Sequence, residues 1–392
     1  MLYLRLLNVP MAFGTVIYAW RTLRMVTADR YVQLLLLVAM TNTLMFTFLS
    51  ASVSYDNMGN LLAMASIYHL CSYFIHGRTG SLGLSWLCQL TGCLVKSSLL
   101  PLLLILNLAL VVREIKRLPG GVFSAKAQIR ATPWRAGLVL AALAAVLGLN
   151  IHLYGGNLQT YGKLLPEMRD VLPLEAVMQN RLAAREEIFL QFVEGQISYE
   201  QALGLAQWIE HPGDREATVY LVNNYLQRRY SGEALMGPVA YLWPWAKAVV
   251  ASAFGVHGHK TMLSAGFVRV CVFGIFVAGL FCMLLWRSRR ASAFSGLLGS
   301  LAFVTLSYGL FVLYYVHYGA YRYYEAFVIG LQGRYLFPVL GSCYVLLAWS
   351  LGAREGGAGP PRAVVVIAAA IFLVSDLPFF LYHASPDWFA FP

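Results

Sequence analysis

The chain has 392 residues, of which 59% are hydrophobic and 12% charged, against about 45–50% and about 25% in ordinary globular proteins. That balance excludes a string of soluble domains, because about twenty apolar residues span a bilayer as a helix and apolar runs of roughly that size recur along the whole chain. The net charge of +11 does not indicate nucleic acid: the basic residues flank the apolar runs, where they act as orientation signals, rather than gathering on one folded face.

In chain order the apolar runs cover residues 6–20, 31–50, 60–75, 82–95, 97–112 and 136–154, then 263–286, 292–316, 335–351 and 363–381. The expectation is an all-α polytopic membrane protein of about ten transmembrane helices with one external helical segment. It divides into amino-terminal helices at 1–154, the external segment at 155–262 and carboxy-terminal helices at 263–392. Alternate short loops carry Arg21, Arg24 and Arg30; Arg78; Arg113, Lys116, Arg117, Lys126, Arg130 and Arg135; Arg287, Arg289 and Arg290; and Arg354 and Arg362. The opposite loops hold only Arg5, Lys96, Arg322 and Arg334. Cytoplasmic loops are the basic ones, so the external segment and both termini are expected outside. With no N-x-S/T sequon present, the expected setting is a bacterial inner membrane.

Asp56 lies in Ser52-Val53-Ser54-Tyr55-Asp56-Asn57, between the second and third runs, and no other acid occurs between Asp29 and Glu114. A carboxylate there suits a general base or a ligand; Asp is equally favoured as a helix cap. Lys96 separates two short runs and suits either a phosphate contact as a compact charge or snorkelling to the interface. Further on, Ser198 with Gln201 forms a capping-box pattern and Pro212-Gly213-Asp214 restarts a helix. Helical spacing puts Met178, Leu182, Phe189, Phe192 and Val193 on one face. Trp243 and Trp245 mark a stretch expected along the membrane interface.

His257-Gly258-His259-Lys260 offers two metal ligands without a third. The six cysteines, Cys71, Cys88, Cys93, Cys271, Cys282 and Cys343, sit inside apolar runs with no CxxC pair and read as small hydrophobes. The aromatic stretch 314–335 contains Tyr321, Arg322, Gln332 and Arg334. Its rings suit sugars or lipid, or an interfacial belt, and its arginines suit phosphate. Arg269 and Asp376 are the ionisable groups within or near the remaining spans.

Three stretches together resemble the GT-C superfamily of integral membrane glycosyltransferases. They are Ser54-Tyr55-Asp56-Asn57; Leu90-Thr91-Gly92-Cys93-Leu94-Val95-Lys96 with Leu99-Leu100-Pro101; and Gln332-Gly333-Arg334-Tyr335-Leu336-Phe337-Pro338. The resemblance implies a polyprenyl-phosphate-linked sugar donor used at the outer membrane face. It implies Asp56 as the acidic catalytic residue and Lys96 and Arg334 as phosphate contacts; Arg322, Tyr321 and Gln332, from the chemistry of the aromatic stretch, are the further candidates for the substrate site. A divalent metal ion stays open as cofactor. The chain departs from the family in starting at what resembles its second span, without the first external loop and its principal acid. A protein partner supplying those elements, or a non-catalytic membrane scaffold, is the alternative.

Overall fold

The computed structural model describes residues 2–115, 133–256, 262–263, 266–287, 293–327, 329, 331–352 and 362–375. His257, His259, Lys260, Asp376 and the loop cations Lys116, Arg117, Lys126, Arg130, Arg289, Arg290 and Arg354 lie outside the described residues, as do the side chains of Arg135, Arg269, Cys282 and Arg287. The chain divides into two compact units, one holding Met1–Gly148, Lys247–Phe311 and Gln332–Pro392, the other Leu149–Ala246 and Val312–Leu331. The second unit thus starts before residue 155, ends before residue 262 and takes in part of the aromatic stretch.

The first unit is helical apart from a two-residue ladder pairing Gly255–Val256 with Met262–Leu263. Its helices are α1 (Leu2–Arg24), α2 (Arg30–Thr41), α3 (Leu44–Ala51), α4 (Asp56–His76), α5 (Thr79–Val95), α6 (Leu100–Ile115) and α7 (Pro133–Asn150). Asp29 starts α2 by accepting from the amides of Tyr31 and Val32, and Gly77, with φ of 66°, ends α4 where only glycine adopts that backbone freely.

The run 31–50 is broken. Thr41, Asn42 and Thr43 turn their side chains back onto the carbonyls of Leu37, Val38 and Ala39, which offers the backbone an alternative to the helical ladder. α2 and α3 meet there at 62°.

Among the described residues, five helical stretches can cross a membrane by length and composition: Asp56–His76, Ser97–Ile115, Ala136–Tyr161, Gly296–Tyr324 and Gly333–Gly352, or six with the bent pair as one. The ten runs are mainly helical where described, and among the described residues fewer than ten meet that test. α5 has 17 residues, about 26 Å at 1.5 Å per residue, short of a hydrocarbon core of about 30 Å. The helix Gly266–Arg287 has 22 residues, but that test covers only Val270–Leu280, the part whose side chains are described; Arg362–Val374 is shorter than α5 among the described residues, and Arg5, Arg21 and Arg24 dilute α1. Leu104, Leu108, Val111, Leu138 and Leu140 are more than half exposed, an apolar surface of the kind a bilayer covers and water does not favour. The chain is an all-helical integral membrane protein.

The second unit follows with α8 (Gly156–Tyr161), α9 (Met168–Val171), α10 (Leu174–Gln179), α11 (Arg181–Val193), α12 (Tyr199–Gln207) and α13 (Pro212–Ser231). α14 (Pro238–Ala253) begins in it. The capping box of Ser198 and Gln201 opens α12, and Pro212 occupies the first position of α13, where its missing N–H costs no hydrogen bond. Ala184, Ile188, Ala202, Ile209 and Val222 form one core, with Met178 and Phe192 packed against it. Leu182, expected on that face, is half exposed.

The returning segment Val312–Leu331 adds Ala326 to a second core with Phe189 and Leu221. Asn224 donates to the Glu325 carbonyl at 2.7 Å, steadying a residue whose φ of 53° is rare outside glycine. In this segment a π-helical stretch, Phe311–Tyr318, leads into α17 (Gly319–Tyr324), after α15 (Gly266–Arg287) and α16 (Ala293–Leu310) in the first unit. α18 (Leu340–Gly352) and α19 (Arg362–Ser375) complete the helices.

α18 is the centre of the first unit, packing on α1, α2, α15 and α16. Gly341 lets α18 close on α1 and α4: a Cβ there would meet Ala19 Cβ at 3.1 Å and Met64 Sδ at 2.5 Å, and small residues let membrane helices close up. The Tyr344 hydroxyl and Thr43 Oγ1, both buried, lie 2.6 Å apart, satisfying each other where no water reaches.

Candidate functional site

Asp56 opens α4. Its amide donates to Ser54 Oγ at 3.1 Å, so Ser54 turns the chain into the helix. The carboxylate sits in the first helical turn, where free N–H groups and the helix dipole favour negative charge. It is nonetheless 7% exposed, and a buried carboxylate needs partners.

Lys96 supplies one. It terminates α5 in an extended conformation and places Nζ 2.6 Å from Asp56 Oδ1. The lysine stem passes over Gly59, where an added Cβ would meet Lys96 Cβ and Cδ in ordinary van der Waals contact at 3.9 Å. The ammonium also stands 5.6 Å from the ring centres of both Tyr55 and Tyr335, close enough for cation–π attraction.

Arg334 supplies the second partner, with NH1 3.8 Å from Asp56 Oδ2. It lies in the 3-10 stretch Gly333–Val339, and its neighbour fixes its place. A Cβ at Gly333 would fall 2.6 Å from the Val249 carbonyl oxygen and 2.9 Å from the Ala253 nitrogen. The Gly333 amide donates to the buried Ser252 Oγ at 2.7 Å. Only glycine permits this backbone to lie so close to the end of α14.

Three residues far apart in sequence therefore share one centre of one negative and two positive charges. Lys96 has three N–H donors and Arg334 five; Asp56 accepts a hydrogen bond from Lys96 and faces Arg334 as an ion pair at 3.8 Å. The remaining donors and the excess positive charge suit an anion, with the Arg334 fork matched to phosphate. The same arrangement does not suit a divalent metal. Such ions collect several oxygen ligands, whereas here a single carboxylate faces two cations, and no group of three or more His, Cys, Asp or Glu converges among the described residues.

Gln332 directly precedes Gly333 and starts the 3-10 stretch, its carbonyl accepting from the Tyr335 amide at 3.2 Å. Tyr321 and Arg322 belong to the second unit. Tyr321 is 1% exposed and stacks on Tyr241 with ring centres 5.1 Å apart. Its hydroxyl accepts from the Met236 amide at 2.9 Å, so this tyrosine is part of an aromatic core with Leu313 and Phe327. Arg322 is exposed. Trp245, expected at the membrane interface, donates to His317 Nδ1 at 2.8 Å.

A second charged centre escaped the sequence reading. Asp214 in the first turn of α13 faces Arg181 at 3.3 Å, Arg185 at 3.4 Å and His211 at 3.1 Å. The signal for it was present in two arginines four residues apart on α11 and the histidine cap before Pro212. The chain has no significant match among protein-family models, curated proteins or solved structures, so its function rests on this geometry.

Proposed function

We propose that the chain is a GT-C-like membrane glycosyltransferase that binds a polyprenyl-phosphate-linked sugar at the outer face of a bacterial inner membrane. The observation that carries the proposal is the convergence of Lys96 and Arg334 on Asp56. Lys96 and Arg334 hold the lipid phosphate, and Asp56 keeps the two cations together until it arrives. The loop charges put the turn before α4 on the side opposite the basic loops, which agrees with an outer-face site.

In the reaction, the acceptor oxygen attacks the anomeric carbon and the bond from that carbon to the phosphate oxygen breaks. The phosphate leaves with the electron pair, its charge stabilised by Lys96 and Arg334. Asp56 takes the acceptor hydroxyl proton as general base. A non-catalytic scaffold subunit of a larger membrane complex is the second reading. It draws on the cation facing each Asp56 oxygen, an arrangement that also suits a structural pin.

Native mass spectrometry of the gently extracted protein tests the proposal. A bound polyprenyl-phosphate-sized mass is expected in the wild type, weakened in Arg334→Ala and lost in Lys96→Ala/Arg334→Ala. Arg334 is the safer single change, because it is the more exposed and looser partner. Absence of such a lipid, with a stoichiometric protein partner instead, sinks the phosphate site. Among lipid-binding samples, sugar transfer that vanishes in Asp56→Asn supports the base, and no transfer even in the wild type supports the subunit.

A further inference from the structure

Two buried amides next to Asp56 have unused hydrogen-bonding atoms. Asn57 is 0% and Asn60 4% exposed. Asn57 Nδ2 donates to the Leu49 carbonyl at 2.7 Å, which orients the amide and leaves Oδ1 as an acceptor. Neither Asn57 Oδ1 nor Asn60 Nδ2 has a hydrogen-bond partner among the described residues. Buried polar atoms in native proteins are nearly always paired, and an exception calls for an explanation.

Elsewhere the chain disposes of such amides simply. Asn42 and Asn107 donate to the carbonyls four residues back, at 2.9 and 2.8 Å. Asn60 makes no such bond, although the Asp56 carbonyl stands at the equivalent position.

Helix geometry puts these groups on one side. At about 100° per residue, Asp56, Asn60 and Asn57 fall within an arc of about 100°, with Asn60 about 6 Å further along the axis than Asp56. Beyond them the buried face continues as Ala63, Met64 and Ile67, so the polar strip stops after this turn. The Lys96 stem lies over Gly59 in the same turn, about 100° round the helix from Asn60.

We propose that Asn57 and Asn60 form a subsite for a sugar hydroxyl of the lipid-linked donor. An open acceptor and an open donor three residues apart on one helix, and so on neighbouring turns of its surface, are the complement of a hydroxyl, whose hydrogen goes to Asn57 Oδ1 while its oxygen accepts from Asn60 Nδ2. A carbonyl fills only the second and an ammonium only the first. This inference rests on the lipid-phosphate reading and adds to it a reason to prefer a glycosylated lipid over the bare phosphate.

The test compares binding of polyprenyl phosphate and of its glucosyl and mannosyl forms to the full chain, by native mass spectrometry, for wild type, Asn60→Leu and Asn60→Ser. The wild type is expected to prefer at least one glycosylated form. Asn60→Leu loses that preference by about tenfold, the worth of one or two neutral hydrogen bonds, and keeps its affinity for the bare phosphate. Its thermal midpoint stays equal or rises, because an unsatisfied donor has been removed, and Asn60→Ser recovers part of the preference.

A wild type that binds bare and glycosylated lipids alike overturns the subsite while the phosphate site stands. Binding of neither lipid overturns both. Equal weakening of all lipids in Asn60→Leu, or a fall in its midpoint, shows an amide already satisfied within the fold and overturns the subsite.

Discussion

Asp56 and Asp214 are buried almost equally, at 7% and 8% exposure, and each stands in the first turn of a helix facing positive charge. They differ in how the charge is supplied. Arg181 and Arg185 come from one helix and join His211 at similar distances of 3.1 to 3.4 Å, so Asp214 clips α11 to α13 above the core of Ala184, Ile188 and Val222 with partners to spare. Asp56 has one tight partner and one loose one, at 2.6 and 3.8 Å, drawn from separate parts of the chain. A carboxylate with redundant neighbours holds a fold together. One with a tight lysine and a half-engaged arginine leaves a cation able to turn to something else.

The strongest way to break this comparison is to neutralise each acid. Asp56→Asn strands Lys96, whose side chain is 16% exposed, and removing one member of a buried pair costs about 3 kcal/mol. Asp214→Asn leaves Arg181, which is 51% exposed, in contact with water and Arg185, which is 19% exposed, beside a neutral amide. Both arginines are held more loosely than Lys96, at 3.3 and 3.4 Å, so the expected loss, discounted for screening of the exposed one, is about 2 kcal/mol. Thermal unfolding of both variants in the same detergent measures the gap; equal losses would make Asp56 another clip.

A change of about 2 kcal/mol is expected for Gly333→Ala, in the range for forcing a methyl into a packed contact. The methyl meets the backbone of Val249 and Ala253, so the chain at Gln332–Arg334 must shift. Arg334 then moves off Asp56 while Lys96 keeps its partner. Lipid binding should weaken as in Arg334→Ala, with a fall in thermal midpoint that Arg334→Ala lacks. If Gly333→Ala matches the wild type in both, the close contact does not position Arg334.

The amino-acid sequence made the helices legible because apolar length is a one-dimensional property. The run at 60–75 and the helix α4 differ mainly at the start, where Asp56 rather than Asn60 begins the turn. The break within 31–50 was harder to see, because Thr41-Asn42-Thr43 stops a helix only when all three side chains fold back. Asp56, Lys96 and Arg334 could be singled out as charges at the ends of apolar runs, but their meeting is a tertiary fact. Local spacing encodes nothing about a lysine and an aspartate 40 residues apart. Tyr321 looked like a substrate contact for the same reason: an aromatic-rich stretch reads alike whether its rings face a ligand or each other.

The smallest expected effect separates the two kinds of carboxylate by acid. Asp170 caps α9 with the Glu167 amide and takes both its oxygens to Lys163 Nζ, at 2.8 and 2.9 Å. The Lys163 hydrogen bond, then the one from the Glu167 backbone, hold its carboxyl below the usual range. A lowered native value means that the turn is stabilised above the unfolded value of about 3.9 and that this support disappears as pH falls through the native value. Hydrogen exchange of a peptide covering residues 163–172, compared between wild type and Asp170→Asn at the same pH, isolates the turn from every other acid. The wild type should be slower at pH about 6 and the difference should shrink as pH falls through the lowered native value of Asp170. A difference unchanged by acid would mean that Asp170 orders the turn by shape and hydrogen bonding without its charge.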